Sequence, residues 1–285
     1  MKLVIVDRPR TCIENLAVND ACFEAVRGKE YEEIVRIYRF SRPGVILSRN
    51  QDVWDVREDA IRSIDITRRP SGGAAVYVDK NTIGYSIFGS FIETGAIQIH
   101  VPYKRMTTKI VDVLRSFGLE VGTEKHWGIS VNGSIIAGHA QRDDKNTFEV
   151  HGLMRLKQWD MASLEKTLRL RKLGRHMENF YIIIDNKVYD TNGIPQDILP
   201  AHLTIVRDEY GELQNTPGLD TLGVNQPVLV ERLSFTFSES HEKNPLPEYL
   251  LERAKKYEQE YEKIPSGSKK CLGHCFVDFN TTLHP

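Results

Sequence analysis

The stretch Arg68-Arg69-Pro70-Ser71-Gly72-Gly73-Ala74-Ala75-Val76-Tyr77 runs two cations straight into side chains too small to block a ligand. Glycines at 72 and 73 allow backbone angles closed to other residues and let N–H groups approach an anion closely. The arginines offer planar, permanently charged forks suited to phosphate or carboxylate. A lone Ser-Gly-Gly beside arginines is also what a plain turn between strands looks like, so the surrounding segments decide.

Asp79 and Tyr85-Ser86-Ile87-Phe88 follow the loop. Before it stand Glu14-Asn15-Leu16-Ala17 with Asp20, then Arg39-Phe40 and Val45-Ile46-Leu47-Ser48-Arg49-Asn50-Gln51. After it come Val131-Asn132-Gly133, Ala137-Gly138-His139-Ala140-Gln141-Arg142 and His151-Gly152. In order and spacing these segments resemble the lipoate–protein ligase A family, within the wider biotin and lipoate ligase superfamily, up to about residue 165. Four ordered motifs are far more specific than one glycine loop.

The resemblance implies an α+β fold of the class II synthetase and biotin ligase type, a mixed β-sheet flanked by helices. It implies ATP with Mg and lipoate or octanoate as substrates. It also implies a partner, a lipoyl carrier domain of the glycine cleavage H protein or 2-oxoacid dehydrogenase E2 type, with a separate accessory subunit in some members. Carried over residue by residue, Arg69, Ser71, Gly72, Gly73, Ala74, Val76, Tyr77 and Asp79 line the acyl and phosphate pocket. Gly138, His139 and Ala140 close it from the other side.

This chain departs from the pattern at the position that matters most for chemistry. Ile135 stands where the family has a lysine that contacts the carboxyl and phosphate of the acyl-adenylate. Losing such a donor costs about 3 kcal/mol or more of transition-state stabilisation. His139 is the nearest polar substitute in the motif, and Lys80, Lys125 and Lys145 are the nearest lysines. Ala74, Val78, Thr82 and Gly84 are smaller departures.

With 40% hydrophobic residues, a chain of 285 can bury a sizeable core. A net charge of −1 from 38 basic and 39 acidic residues argues against general nucleic-acid binding, which rests on a basic surface. No apolar run reads as a signal peptide or membrane span, so a cytoplasmic protein is expected. Cys12 and Cys22 read as packing residues. Cys271 and Cys275, with His274 and His284, offer a weak zinc pattern, the bland alternative being a strand at 275–279.

Thr11 and Glu14 have capping-box spacing, so a helix starts at Cys12 and ends near Gly28. Residues 33–40 and 44–48 read as a strand-turn-strand unit. Met106, Ile110, Val113, Leu114 and Phe117 recur at helical spacing before Gly118. Residues 129–142 and 147–156 read as two strands, and Asp160 caps a short helix. Residues 180–184 and 187–189 read as a hairpin, 207–227 as a surface loop, Val228–Phe237 as a strand and Pro247–Ile264 as a charged helix. The expected division is a ligase-like domain over 1–237, divergent at 170–227, and a C-terminal helix and strand extension over 238–285.

Arg169, Arg171, Lys172, Arg175 and His176 form the one strong charge bias, either a solvated helix end or a docking patch for an acidic carrier. Three activities stay open at this stage. The first is an ATP-dependent lipoate or octanoate ligase. The second is a non-catalytic paralogue that binds lipoyl groups or a partner subunit, which accounts for Ile135. The third is an octanoyl or lipoyl acyltransferase acting through a cysteine thioester, disfavoured because no cysteine lies between residues 23 and 270.

Overall fold

The computed structural model describes residues 1–49, 51, 53, 56–92, 95, 99–123, 128–144, 146–176, 179–185, 187–190, 196, 204–208, 214–238 and 242–262. Strand β1 (Lys2–Arg10) leads through helix α1 (Cys12–Arg27) into a parallel partner, β2 (Glu33–Phe40). The capping box forms as the sequence predicts: Glu14 N donates to the Thr11 hydroxyl, and Thr11 N donates to the Glu14 carboxylate.

β3 (Gly44–Leu47), β4 (Asp65–Arg68) and β5 (Val76–Val78) make a small three-stranded sheet with β3 at its centre. The main sheet continues from β2 through β6 (Thr82–Ser90), β10 (Thr147–Arg155), β9 (Ser134–Asp144), β8 (Ile129–Val131) and β7 (Val121–Thr123). β15 (Glu242–Asn244) pairs parallel with β1 at the opposite edge. A third sheet holds β13 (Lys187–Asp190), β12 (Asn179–Ile184), β11 (Arg171–His176) and β14 (Thr204–Asp208) in that order. The helices after α1 are α2 (Glu58–Ile61), α3 (His100–Arg115), α4 (Met161–Thr167), α5 (Gln226–Ser238) and α6 (Glu248–Tyr261). This is the α+β architecture that the family resemblance implies.

Strand alternation divides the core into two layers. Val4, Val35, Ile37, Ile83, Ile87, Phe148 and Val150 pack against Met106, Ile110 and Leu114 of α3 and Leu229, Leu233 and Phe237 of α5. Leu3, Ile5, Ile34 and Phe88 point the other way, to Ala17, Ala21 and Val18 of α1 and Leu250 and Ala254 of α6.

The α1 face also buries charge. Arg36, 0% exposed, donates through Nη2 to Asp7 at 2.7 Å and to the Asn15 side chain at 2.7 Å, and through Nη1 to Asn19 Oδ1 at 2.6 Å and Asn15 O at 3.0 Å. Arg10 Nε donates to the same carboxylate at 2.8 Å. Burial disfavours the Asp7 charge, but the two arginines outweigh it and hold the pKa below the ordinary carboxylate range.

Several expectations change. β2 and β3 do not pair; they belong to different sheets, so the Ser-Arg-Pro-Gly link is a crossing point. The 129–142 segment breaks at Asn132-Gly133, whose φ values of 50° and 78° make a tight reversal between β8 and β9. Residues 228–237 are helical: Leu229, Leu233 and Phe237 recur every four residues on the buried side, a pattern masked by intervening Val and Phe. The 207–227 region is not merely surface, since Leu219 and Val224 join the core. Residues 171–176 form strand β11, so the basic cluster is not a helix end. Cys271, Cys275, His284 and the 275–279 segment lie outside the described residues.

Replacing Arg36 with Ala leaves Asp7 to Arg10 alone among the arginines and leaves the Asn15 and Asn19 side-chain oxygens facing a void without their donor. Stability should fall by about 3–5 kcal/mol in urea unfolding. Arg27→Ala, which removes an exposed pair with Glu24 and Asp144, should change it by about 1 kcal/mol or less.

Candidate functional site

One loop over the α1 face of the main sheet, residues 69–75, joins β4 to β5, and arginine shapes it from within. Arg69 Nη2 donates to Gly72 O at 2.6 Å and Ala74 O at 2.8 Å, Nε donates to Ser71 Oγ at 3.0 Å and Gly72 O at 3.2 Å, and Nη1 donates to Ile46 O at 3.2 Å. The guanidinium expected to grip an anion is buried and holds loop carbonyls. Arg68 does the same for the neighbouring turn, donating to Ser48 O at 2.8 Å and to Gln51 O. What remains for a ligand is backbone. Among the described residues the Gly72 and Gly73 amides have no hydrogen-bond partner.

Gly73 needs to be glycine for two reasons. Its φ is +99°, and a Cβ there would sit 2.9 Å from Arg69 Nη2. Gly72 meets nothing within 4 Å, so the loop opens on that side.

The loop is fastened to the sheet through Ser71, 1% exposed, whose Oγ lies 3.0 Å from His151 Nε2 on β10. Ala140 and Ser86 flank His151 in register and share its face. Gly138 is also on this face and has open space around it. His139 alternates to the other side. Its Nε2 lies 2.8 Å from Tyr85 Oη, and its ring meets Tyr103 edge-on in front of α3. The imidazole expected to stand in for the lysine is therefore turned toward α3, away from the face that carries Ser71. Ile135 is 54% exposed on β9. Lys80 is exposed, while Lys125 and Lys145 lie outside the described residues.

Tyr77 is buried edge-on against Trp159, and Asp79 takes a bidentate pair from Arg155 at 2.6 and 3.1 Å while capping the turn at Asn81. Val76 packs with the cluster around Cys12 and Phe40. These three residues position the loop. Cys12 and Cys22 are buried, and burial pushes both thiols up to about 12. They are packing residues.

Beyond Ser71 lies a polar row that motif reading did not assemble. His151 Nδ1 is 3.2 Å from Glu149 Oε1. Glu149 accepts from Arg142 Nε at 2.6 Å and Asn19 Nδ2 at 3.1 Å, and Arg142 in turn meets Asp20, to which Tyr261 donates at 2.5 Å. Burial opposes the Glu149 charge, yet Arg142 and His151 prevail and hold the carboxyl down at about 2. Desolvation instead pushes Asp20 up, against the pull of Arg142. Glu149-x-His151 on one strand was the available signal, since residues two apart share a face.

The family model for the lipoyl protein ligase A/B catalytic domain matches residues 11–195. The chain belongs to this family. Lipoate–protein ligase 1 of Staphylococcus aureus is 29% identical over 142 residues, which is 49% of this chain and 42% of that protein. The match thus spans less than half the length of that curated relative. A bipartite lipoate protein ligase studied with its E2 lipoyl domain from Thermoplasma acidophilum superposes with a TM-score of 0.66 at 17% identity, covering 95% of this chain and 96% of that one. A lipoate–protein ligase A bound with ATP gives 0.64 at 18%, covering 95% and 98%. The ligase fold therefore extends through nearly the whole chain, including the region past residue 170 where the sequence motifs fade.

Gly73→Ala should destabilise the protein by about 1–2 kcal/mol in thermal unfolding, through the left-handed φ and the clash with Arg69. Gly72→Ala should change it by less than about 0.5 kcal/mol. The Glu149 pair has a defined pH window. A pKa lowered from 4.5 to about 2 adds stability above the unfolded value and loses it as pH falls between the two. The unfolding free-energy gap between wild type and Glu149→Gln should shrink steadily as pH falls from 4.5 toward 2.

Proposed function

We propose that the chain activates lipoate or octanoate with ATP and transfers the acyl group to a lysine of a lipoyl carrier domain. The observation that carries this reading is the 71–74 loop: Arg69 binds its carbonyls, and the Gly72 and Gly73 amides have no hydrogen-bond partner among the described residues. Paired free amides in a glycine turn form a concave site for a phosphate or carboxylate. Family membership and the ATP-bound neighbour supply the substrate class.

Within this proposal Ser71, Gly72, Gly73 and Ala74 face the acyl carboxyl and α-phosphate, with Gly138 and Ala140 opposite. Arg69, Val76, Tyr77 and Asp79 hold the loop in place. Mg would travel with the nucleotide, since no group of three or more His, Cys, Asp or Glu gathers for a metal among the described residues and Mg is commonly held by substrate phosphates. The carrier is an acidic lipoyl domain of H-protein or E2 type. No described helix is long and apolar enough to cross a membrane, consistent with the cytoplasmic site of action proposed here. The proposed ligase-like domain runs over 1–237, with β15 and α6 of the 238–285 extension packed onto its sheet and α1.

Ile135 favours a second reading, a non-catalytic paralogue that holds lipoyl groups. Single-turnover formation of acyl-AMP from ATP and octanoate separates the two. Wild type should form the adenylate, and Ile135→Lys should form it at least about 10-fold faster, the equivalent of restoring 1.4 kcal/mol of charge stabilisation. Adenylate from Ile135→Lys alone would establish the binding reading instead.

A further inference from the structure

Ser71, His151 and Glu149 form a row that adenylate chemistry does not require. Ser71 Oγ is 3.0 Å from His151 Nε2, and His151 Nδ1 is 3.2 Å from Glu149 Oε1. Arg69 Nε, which can only donate, takes one lone pair of Oγ at 3.0 Å. Oγ then has its proton and one lone pair left for His151, and the His151 tautomer decides which is used. A buried, ionised carboxylate beside Nδ1 favours the tautomer that carries its proton there and leaves Nε2 as the acceptor. Nδ1 is sealed from solvent without an aligned hydrogen bond, so Glu149 is the acceptor it can turn to when the site tightens around a substrate. The amides of Gly72 and Gly73, without a hydrogen-bond partner among the described residues, follow the serine directly and are the donors assigned here to a developing oxyanion. A Cβ at Gly72 and one at Gly138 would each meet nothing within 4 Å, so neither position is closed to a ligand by its own surroundings.

We propose that Ser71 is a nucleophile with His151 as its base, and that this pocket hydrolyses medium-chain acyl thioesters without any nucleotide. Oγ attacks the thioester carbonyl, so that the Oγ–C bond forms and the C–S bond breaks. The hydroxyl proton passes to Nε2 and on to the departing sulfur. Water then attacks the acyl-serine ester, giving its proton to Nε2, and the C–Oγ bond breaks as Oγ recovers that proton. Thioester and water become free acid and thiol. Glu149 acts through His151 and is a positioning residue. The inference takes from the proposed function only that the pocket holds an acyl chain, and it would place in that pocket the free acid which activation consumes.

The test uses 4-nitrophenyl octanoate and octanoyl-N-acetylcysteamine with the full chain and no ATP. Acid-quenched wild type should gain the mass of one octanoyl group, mapped to Ser71, or release product at a Ser71-dependent rate. His151→Gln should lower that rate about 100-fold. Glu149→Gln should lower kcat with KM unchanged. Ser71→Cys should keep an adduct, now a thioester cleaved by neutral hydroxylamine, which shows that loss in Ser71→Ala is chemical and not a folding failure. Wild type that shows neither mass gain nor Ser71-dependent release overturns the inference, as does an adduct that persists in Ser71→Ala. If that same wild type forms acyl-AMP with ATP, the ligase reading stands alone.

Discussion

Arg36 is the constraint around which the α1 face is arranged. A guanidinium with no exposure must find partners for its donors, and here they come from β1 through Asp7 and from α1 through Asn15 and Asn19. Those bonds fix the rotation and height of α1 over the sheet more narrowly than its small apolar residues could, because hydrophobic contact is nondirectional. Asn19 then spends its amide on Ser86 and Glu149, so the strand that carries His151 inherits the same reference frame. From Asp7 to Ser71 the site is a continuation of one buried polar network.

That network also explains why cations near the loop are structural. Loop carbonyls turned into a low-dielectric interior would be costly unpaired, and Arg69 satisfies two of them, Gly72 O and Ala74 O, while tying the loop to Ile46 O of β3. With the carbonyls drawn inward, the amides are left on the other side. A cradle of this kind attracts anions through dipoles, and its charge is fixed by the fold and does not swing on a flexible side chain.

Much of this was legible in the sequence, and the exceptions have identifiable causes. The Thr11–Glu14 box, the Asp160 cap, the α3 stripe and the hairpin at 180–189 rest on contacts a few residues long, and each forms. The glycine loop was readable because its motif lies in one stretch. The role of Arg69 was not, since a cation in a motif looks the same whether it faces ligand or carbonyl. Helix α5 was misread because Val228, Val230, Phe235 and Phe237 suggest a strand until the four-residue recurrence of Leu229, Leu233 and Phe237 is weighed against them. The Ser71–His151 contact joins residues 80 apart, and only the three-dimensional fold brings them together.

Ile135 is 54% exposed on β9, while the arginines of the polar row are already engaged, Arg142 between Glu149 and Asp20 and Arg155 with Asp79. With isoleucine at 135, the proposed site relies on the Gly72 and Gly73 amides, which have no hydrogen-bond partner among the described residues and suit a carboxyl, phosphate or tetrahedral oxyanion alike. Selectivity among these must then come from what stands beside the amides. In this chain that is a serine 3.0 Å from a histidine, so the selectivity proposed here rests on nucleophile geometry more than on cationic charge.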